Sequence, residues 1–214
     1  MEGMLKKKAL EIRLQRLEKY SSRAELEQYN TPADIAADVL HLAHQSGDVE
    51  GMKVVDLGCG NGIFAIGAML LGAASAVGVD VDPGAIEVAE RNMRAIGVEV
   101  RFVPCDVAEF GERCDTVLQN PPFGAQRSHR HADSLFLRKA LGLADVVYSL
   151  HLSKTLAFVA RTAEASGGTV ALTTSYKFKV PHTYKFHTME SREFDVTLVK
   201  VVRNGRQEAS GSAG

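Results

Sequence analysis

The run Lys53-Val54-Val55-Asp56-Leu57 leads into Gly58-Cys59-Gly60-Asn61-Gly62, and the apolar stretch from Ile63 to Val79 follows at once. Few folds accommodate that order. The chain must pass from strand to turn to helix to strand, and the turn is bare enough for a ligand to approach its backbone closely. Gly67, Gly72 and Ser75 interrupt the apolar stretch, which suits a core helix and strand better than a membrane span. The same alternation continues downstream. Strand-like segments near 53–57, 75–80, 99–103, 114–119, 145–150, 168–174 and 194–202 alternate with helical patterns at 62–72, 83–96, 132–143 and 153–166. This predicts an α/β fold with a mostly parallel, doubly wound sheet. Phe194-Asp195-Val196-Thr197-Leu198-Val199-Lys200-Val201 reads as an antiparallel last strand.

Open sheets of this kind bind ligands beyond the carboxyl ends of their strands. Successive strand ends here carry acids. Val77-Gly78-Val79-Asp80-Val81-Asp82 places Asp80 where a carboxylate can accept both hydroxyls of a ribose, while Asp82 caps the next helix with Pro83 in its first turn. Cys105-Asp106-Val107 follows the next strand, so Asp106 is expected to accept an adenine amino group and Val107 to cover the ring. Each acid alone is also a fair turn residue or cap. Together with Asp56, Gly58 and Gly60 they favour an adenosine-containing ligand.

After the apolar strand Asp115-Thr116-Val117-Leu118-Gln119 comes Asn120-Pro121-Pro122-Phe123. The side-chain oxygen of Asn120 and the carbonyl of Pro121 can each accept one N–H of an amine, which turns the nitrogen lone pair toward an electrophile. Two fixed proline φ angles hold those acceptors in place before a substrate arrives. The Phe123 ring can stack on an unpaired base, a contact worth roughly 1–3 kcal/mol in nucleic-acid binders. An exocyclic amine loses its proton readily once alkylated, so no strong base is called for. The plain alternative is a proline turn with a core phenylalanine.

At 214 residues, 45% hydrophobic and 24% charged, the chain suits one globular domain with an N-terminal extension. Leu5 to about Tyr29 reads as an amphipathic helix packed on that domain, and Thr31-Pro32 as the cap and first turn of a helix running to about Gln45. The division expected is 1–47 for the extension, contributing to the ligand site, 48–204 for the main domain, and 205–214 for a disordered tail. Cys59, Cys105 and Cys114 show neither metal-ligand spacing nor a disulfide framework, so no metal is expected and a reducing cytoplasm is. Met1 to Lys8 lacks the uninterrupted apolar region of a secretory signal. Charge is uneven: residues 1–119 carry 12 Lys and Arg against 19 Asp and Glu, whereas residues 120–214 carry 13 against 7. A basic second half suggests a polyanionic substrate, with Arg127 and Arg130 beside the amine pocket and Lys177, Lys179 and Lys185 as phosphate contacts.

These residues resemble the class I S-adenosylmethionine-dependent methyltransferases. Longer segments are similar to a narrower group, archaeal and eukaryotic, that methylates adenine N6 in small-subunit ribosomal RNA: Leu26 to Pro32, Asp56 to Gly67, Asn120 to Gly124, Val147-Tyr148-Ser149-Leu150-His151, and Pro181 to His187. The resemblance implies a Rossmann-like seven-stranded sheet and S-adenosylmethionine as methyl donor. It implies donor contacts from Gln28, Thr31, Asp56, Gly58, Gly60, Asn61, Asp80, Asp106, Val107 and Asn120. The target adenine falls to Asn120, Pro121, Pro122 and Phe123, with substrate-side roles for Tyr148, His151, Lys185, Phe186 and His187. It also implies a partner, a small zinc-binding activator protein pairing beside the sheet, for which the edge strand Val98 to Val103 is the candidate surface. Two other targets suit the same acceptors, the side-chain amide of a glutamine in a protein and adenine in DNA.

Overall fold

The computed structural model describes residues 5–20, 30–122, 132–180 and 192–205. Its elements follow the alternation read above: α1 (Lys7–Leu14), α2 (Ala33–Gln45), β1 (Lys53–Leu57), α3 (Ile63–Leu70), β2 (Ser75–Asp80), α4 (Pro83–Ile96) and β3 (Arg101–Pro104). The second half runs β4 (Thr116–Gln119), α5 (Ala132–Leu143), β5 (Val146–Leu152), a 3-10 turn (Ser153–Thr155), α6 (Leu156–Ala165), β6 (Gly168–Val180) and β7 (Arg192–Arg203).

The seven strands form one sheet in the order β3-β2-β1-β4-β5-β7-β6. Pairing is parallel from β3 through β5, and β7 lies antiparallel between β5 and β6. Strand order reverses between β1 and β4, so their carboxyl ends, Asp56-Leu57 and Gln119-Asn120, flank the crevice where open sheets take ligands. Each face has its own core. On one, Leu10, Leu14, Leu40 and Ile66 pack on Leu118, Tyr148, Leu150 and Leu198. On the other, Leu137, Leu141, Val159 and Ala163 pack on Val55, Val117, Val147 and Val199. α3 is apolar all round and its residues from Ile63 to Ala68 are buried, as befits the helix that starts at the glycine turn.

Three local expectations change. The N-terminal helix stops at Leu14 instead of running to Tyr29: Gln15 to Leu17 turn, and side chains elsewhere in the chain then take up the backbone of Glu18 and Tyr20, as described below. Thr31 is not the cap of α2: Pro32 takes that position, and the Thr31 hydroxyl is used elsewhere. β6 extends to Val180 instead of 174, since its far half pairs in register with β7 beyond the last residue of β5. The cap of α4 is as expected, with Asp82 accepting from Gly84 N at 2.9 Å and Pro83 in the first turn. No helix among the described residues is long and apolar enough to cross a membrane.

Candidate active site

The glycine turn is shaped by the acids around it. Asp56 is 1% exposed, and its Oδ2 accepts from Ala65 N in the first turn of α3 at 3.1 Å. Its Oδ1 is buried with no hydrogen-bond partner. Burial pushes this carboxyl up to about 7, the helix amides opposing and the nearby Asp80 reinforcing the rise. Asp80, also buried and also pushed up by burial, accepts from Gly60 N at 2.9 Å through one oxygen and from Asp82 N at 3.0 Å through the other. It thus fixes the turn after β1 and the turn after β2 together, and each carboxylate oxygen keeps a second acceptor site for a ligand.

Gly58 and Gly60 both have positive φ, at 70° and 52°. A Cβ on Gly58 would meet the Phe136 ring at 3.0 Å, whereas one on Gly60 would project into open space. Gly60 therefore presents bare backbone to the crevice, and Phe136 of α5 braces the turn from behind. Asp106 is exposed, with Oδ1 turned to Ala108 N at 2.8 Å, and Val107 beside it is buried.

Across the crevice, Asn120 donates through Nδ2 to Thr31 Oγ1 at 3.1 Å, and its Oδ1 is buried with no partner. An acceptor left so costs roughly 1–3 kcal/mol, a penalty that an incoming N–H removes. Pro121 is buried and Pro122 half-buried. Asp56 and Asn120 lie near the carboxyl ends of neighbouring strands, Asp56 being in register with Leu118, two residues before Asn120, so both flank the crevice.

The N-terminal segment reaches this crevice by a clamp that the sequence did not announce. Asn92 of α4, buried, accepts from Glu18 N at 2.7 Å and donates to Glu18 O at 3.1 Å and to Asn61 O at 3.0 Å. Asn61 Nδ2 also donates to Glu18 O at 3.1 Å, so that side chain grips the extension. Tyr20 donates its hydroxyl to Asp82, and its main chain is paired with the Asn30 amide on both sides, N–H to Oδ1 and carbonyl from Nδ2. Two described points before α2 thus meet the site, Glu18 at Asn61 of the glycine turn and Thr31 at Asn120. A lone Asn on the otherwise apolar face of α4, among Ala85, Ile86, Val88 and Ala89, was the available sign of Asn92.

Other expected residues lie apart or beyond reach. Tyr148 is fully buried, and its hydroxyl donates to Asp48 Oδ2, which Lys200 Nζ also meets, each at 2.7 Å. The Asp48 carbonyl in turn takes Thr116 Oγ1 at the start of β4, so the Tyr148 hydroxyl lies toward the amino end of the strands, away from Asn120 at the carboxyl end. His151 is fully buried against Ser149. Lys177 is exposed and paired with Asp195 at 2.7 Å and Glu193 at 3.4 Å, and Lys179 stands opposite Glu193 in the hairpin register. Gln28, Phe123, Arg127, Arg130, Lys185, Phe186 and His187 lie outside the described residues, as does the tail beyond Gly205.

Known proteins divide along the same lines as the site. The family model for Ribosomal protein L11 methyltransferase (PrmA) matches residues 37–120, from α2 through the glycine turn to Asn120. Likeness over nearly the whole chain is to another group. The rRNA N(6)-adenosine-methyltransferase METTL5 of Danio rerio is 32% identical over 92% of this chain and 98% of its own length, and Mettl5 of Drosophila melanogaster is 36% identical over 86% and 94%. The chain belongs to the rRNA N6-adenosine-methyltransferase family. A crystal structure of a candidate RNA methyltransferase, PH1948 of Pyrococcus horikoshii, superposes on it with a TM-score of 0.85 at 37% identity, covering 94% of this chain and 99% of that one.

Enzymes of this methyltransferase family use S-adenosylmethionine, and the crevice fits it. Gly60 leaves room for a ligand against the backbone, and the unpartnered Asp56 oxygen can receive a donor N–H. Asp80 and Val107 stand at the ends of the next strands. The glutamine-amide alternative is not favoured, because relatives named as rRNA N6-adenosine-methyltransferases match 92% and 86% of this chain; Ribosomal protein L11 methyltransferase of Enterobacter is 43% identical over 34% of it.

Proposed function

We infer that this methyltransferase transfers the methyl group of S-adenosylmethionine to the N6 amine of an adenosine in ribosomal RNA. The observation that carries the reading is the Asn120 amide, anchored to Thr31 through its nitrogen and offering a buried, unpartnered oxygen to the crevice. Asn120 Oδ1 accepts one N6 hydrogen and the Pro121 carbonyl the other, which withdraws the nitrogen lone pair from the ring and directs it outward. The donor supplies a methyl on a sulfonium, and its transfer leaves a neutral thioether. The new N–C bond makes N6 cationic, and one of its two protons passes to water. Phe123 stacks on the target base.

Residues 1–47 act as an extension that completes the donor site, with Gln28 and Thr31 as its contacts, and residues 48–204 form the catalytic domain. Arg127, Arg130, Lys177, Lys179 and Lys185 meet RNA phosphates. Alanine at the three lysines together should flatten the dependence of RNA affinity on salt concentration, and an unchanged slope would count against them. The enzyme works in the cytoplasm. A small zinc-binding activator pairs with β3, which among the described residues has β2 as its only strand partner. Light scattering of the two proteins mixed would reject that partner if no complex forms.

Purified enzyme, with and without the activator, incubated with labelled donor and unmethylated small-subunit RNA should yield N6-methyladenosine at one position by nucleoside mass spectrometry. Asn120→Ala should lower turnover far more than donor affinity. Label on protein glutamine instead of RNA would overturn the assignment.

A further inference from the structure

The acceptor segment leaves the sheet where the backbone ladder ends. β4 has four residues, and its last, Gln119, is in register with Leu57 on one side and Ser149 on the other. Asn120 comes next. Beyond that point the two strands are tied by side chains: Gln119 Nε2 donates to Ser149 Oγ at 2.9 Å, and Ser149 Oγ lies 2.7 Å from His151 Nε2. His151 stands two residues further along the same face of β5, level with Pro121 if the register were carried on.

All three residues are buried, with exposures of 1%, 0% and 0%. Their face of the sheet is otherwise apolar, built from Val117, Val147 and Val199. Buried polar groups in such a place cost free energy unless each is bonded, and apolar side chains would serve stability as well. Bond direction supplies a purpose. Gln119 Nε2 has only hydrogens to give, so Ser149 Oγ accepts there, and Ser149 Oγ shares a second hydrogen bond with His151 Nε2 whose direction the ring tautomer sets. His151 thereby orients the Ser149 hydroxyl, and Ser149 orients the Gln119 amide, whose Oε1 is buried and without a partner.

We propose that Gln119, Ser149 and His151 form a positioning relay that fixes the end of β4 and so holds the Asn120 amide and the Pro121 carbonyl in register with the incoming amine. The relay rests on the reading of Asn120 and Pro121 given above. None of the three residues touches substrate. Their effect is on geometry, to which methyl transfer is sensitive because a misplacement of about 1 Å can cost on the order of a hundredfold in rate.

The full chain and its Ser149→Ala, Ser149→Thr, Gln119→Met and Asn120→Ala variants are assayed for kcat on small-subunit RNA, for donor affinity by calorimetry, and for hydrogen exchange across residues 116–122. Ser149→Ala and Gln119→Met should each lower kcat about tenfold or more, while donor affinity changes by less than about twofold. Ser149→Thr, which keeps the hydroxyl on a strand, should restore turnover. Exchange at 116–122 should rise in the two slow variants and not in β1. Full turnover in Ser149→Ala well below its melting temperature, with Asn120→Ala inactive, would overturn the relay and leave the Asn120 reading standing. Full turnover in Asn120→Ala would overturn both.

Discussion

Asp56→Asn should make the donor-free enzyme more stable at alkaline pH and leave it little changed below about pH 4. The Asp56 carboxyl is 1% exposed, Ala65 N satisfies one oxygen, and the other has no partner. Burial raises its pKa from 3.8 to about 7. Between those values the folded protein holds a proton that the unfolded chain has lost. The stability this group contributes is therefore fully present below pH 3.8, declines as pH rises through about 7, and is flat above. The loss across that window is roughly 4 kcal/mol. At about 2–4 °C per kcal/mol for a domain of this size, the charged carboxylate lowers the melting temperature by on the order of 10 °C. Asparagine keeps an acceptor for Ala65 N and carries no charge. Thermal melts of both proteins at several pH values isolate the group, because Asp80 titrates in each. The melting-temperature difference should widen in favour of the variant from pH 5 to pH 8. A difference constant over that range would refute a buried carboxyl titrating near neutrality. Donor binding should weaken in the variant, and proton release on donor binding at pH 6, read by calorimetry in buffers of different ionisation enthalpy, should disappear.

Thr31→Val keeps the shape and removes the acceptor of Asn120 Nδ2. Turnover should fall about tenfold with a loss of roughly 1–3 kcal/mol in stability, measured by single-turnover kinetics and denaturant titration. Asn92→Ala cuts the Glu18 main chain loose from α4. It should lower stability by about 2–4 kcal/mol and speed hydrogen exchange over residues 5–20, with donor affinity reduced although Asn92 has no place in the donor crevice.

Local periodicity was enough to place most elements. β1, the glycine turn, α3, β2 and the Asp82-Pro83 start of α4 follow one another in sequence, and each is specified by residues within a turn or two of itself. Interactions between distant residues were not legible. α1 ends at Leu14 although its charge and leucine pattern continues, because Asn61 and Asn92, far along the chain, take up the backbone of Glu18. β6 outlasts its expected end because the polar residues Ser175 and Lys177 face outward while Tyr176 and Phe178 turn to the core, an alternation that becomes informative only once β7 lies alongside. At the candidate site, Asn120 and Asp56 stand out in the sequence by their chemistry, and the structure sets both at the carboxyl ends of neighbouring strands. Thr31 looked like a cap because its partner is 89 residues away. Gln119, Ser149 and His151 belong to two strands, and no pattern within either one connects them.

The clamp on the extension grips main chain at position 18, not a side chain. Mutational tolerance along the segment should therefore be lopsided. Among the described residues the Glu18 carboxylate makes only an exposed pair with Arg91, so most residues should be acceptable there. Proline is the exception, since it has no N–H to give to Asn92. At 61 and 92 the amide itself is the fastener, and even aspartate would replace a donor with a charge. A library of variants selected for folding should thus show a permissive position 18 facing two intolerant asparagines, with the constraint falling on the domain and the freedom on the segment it holds.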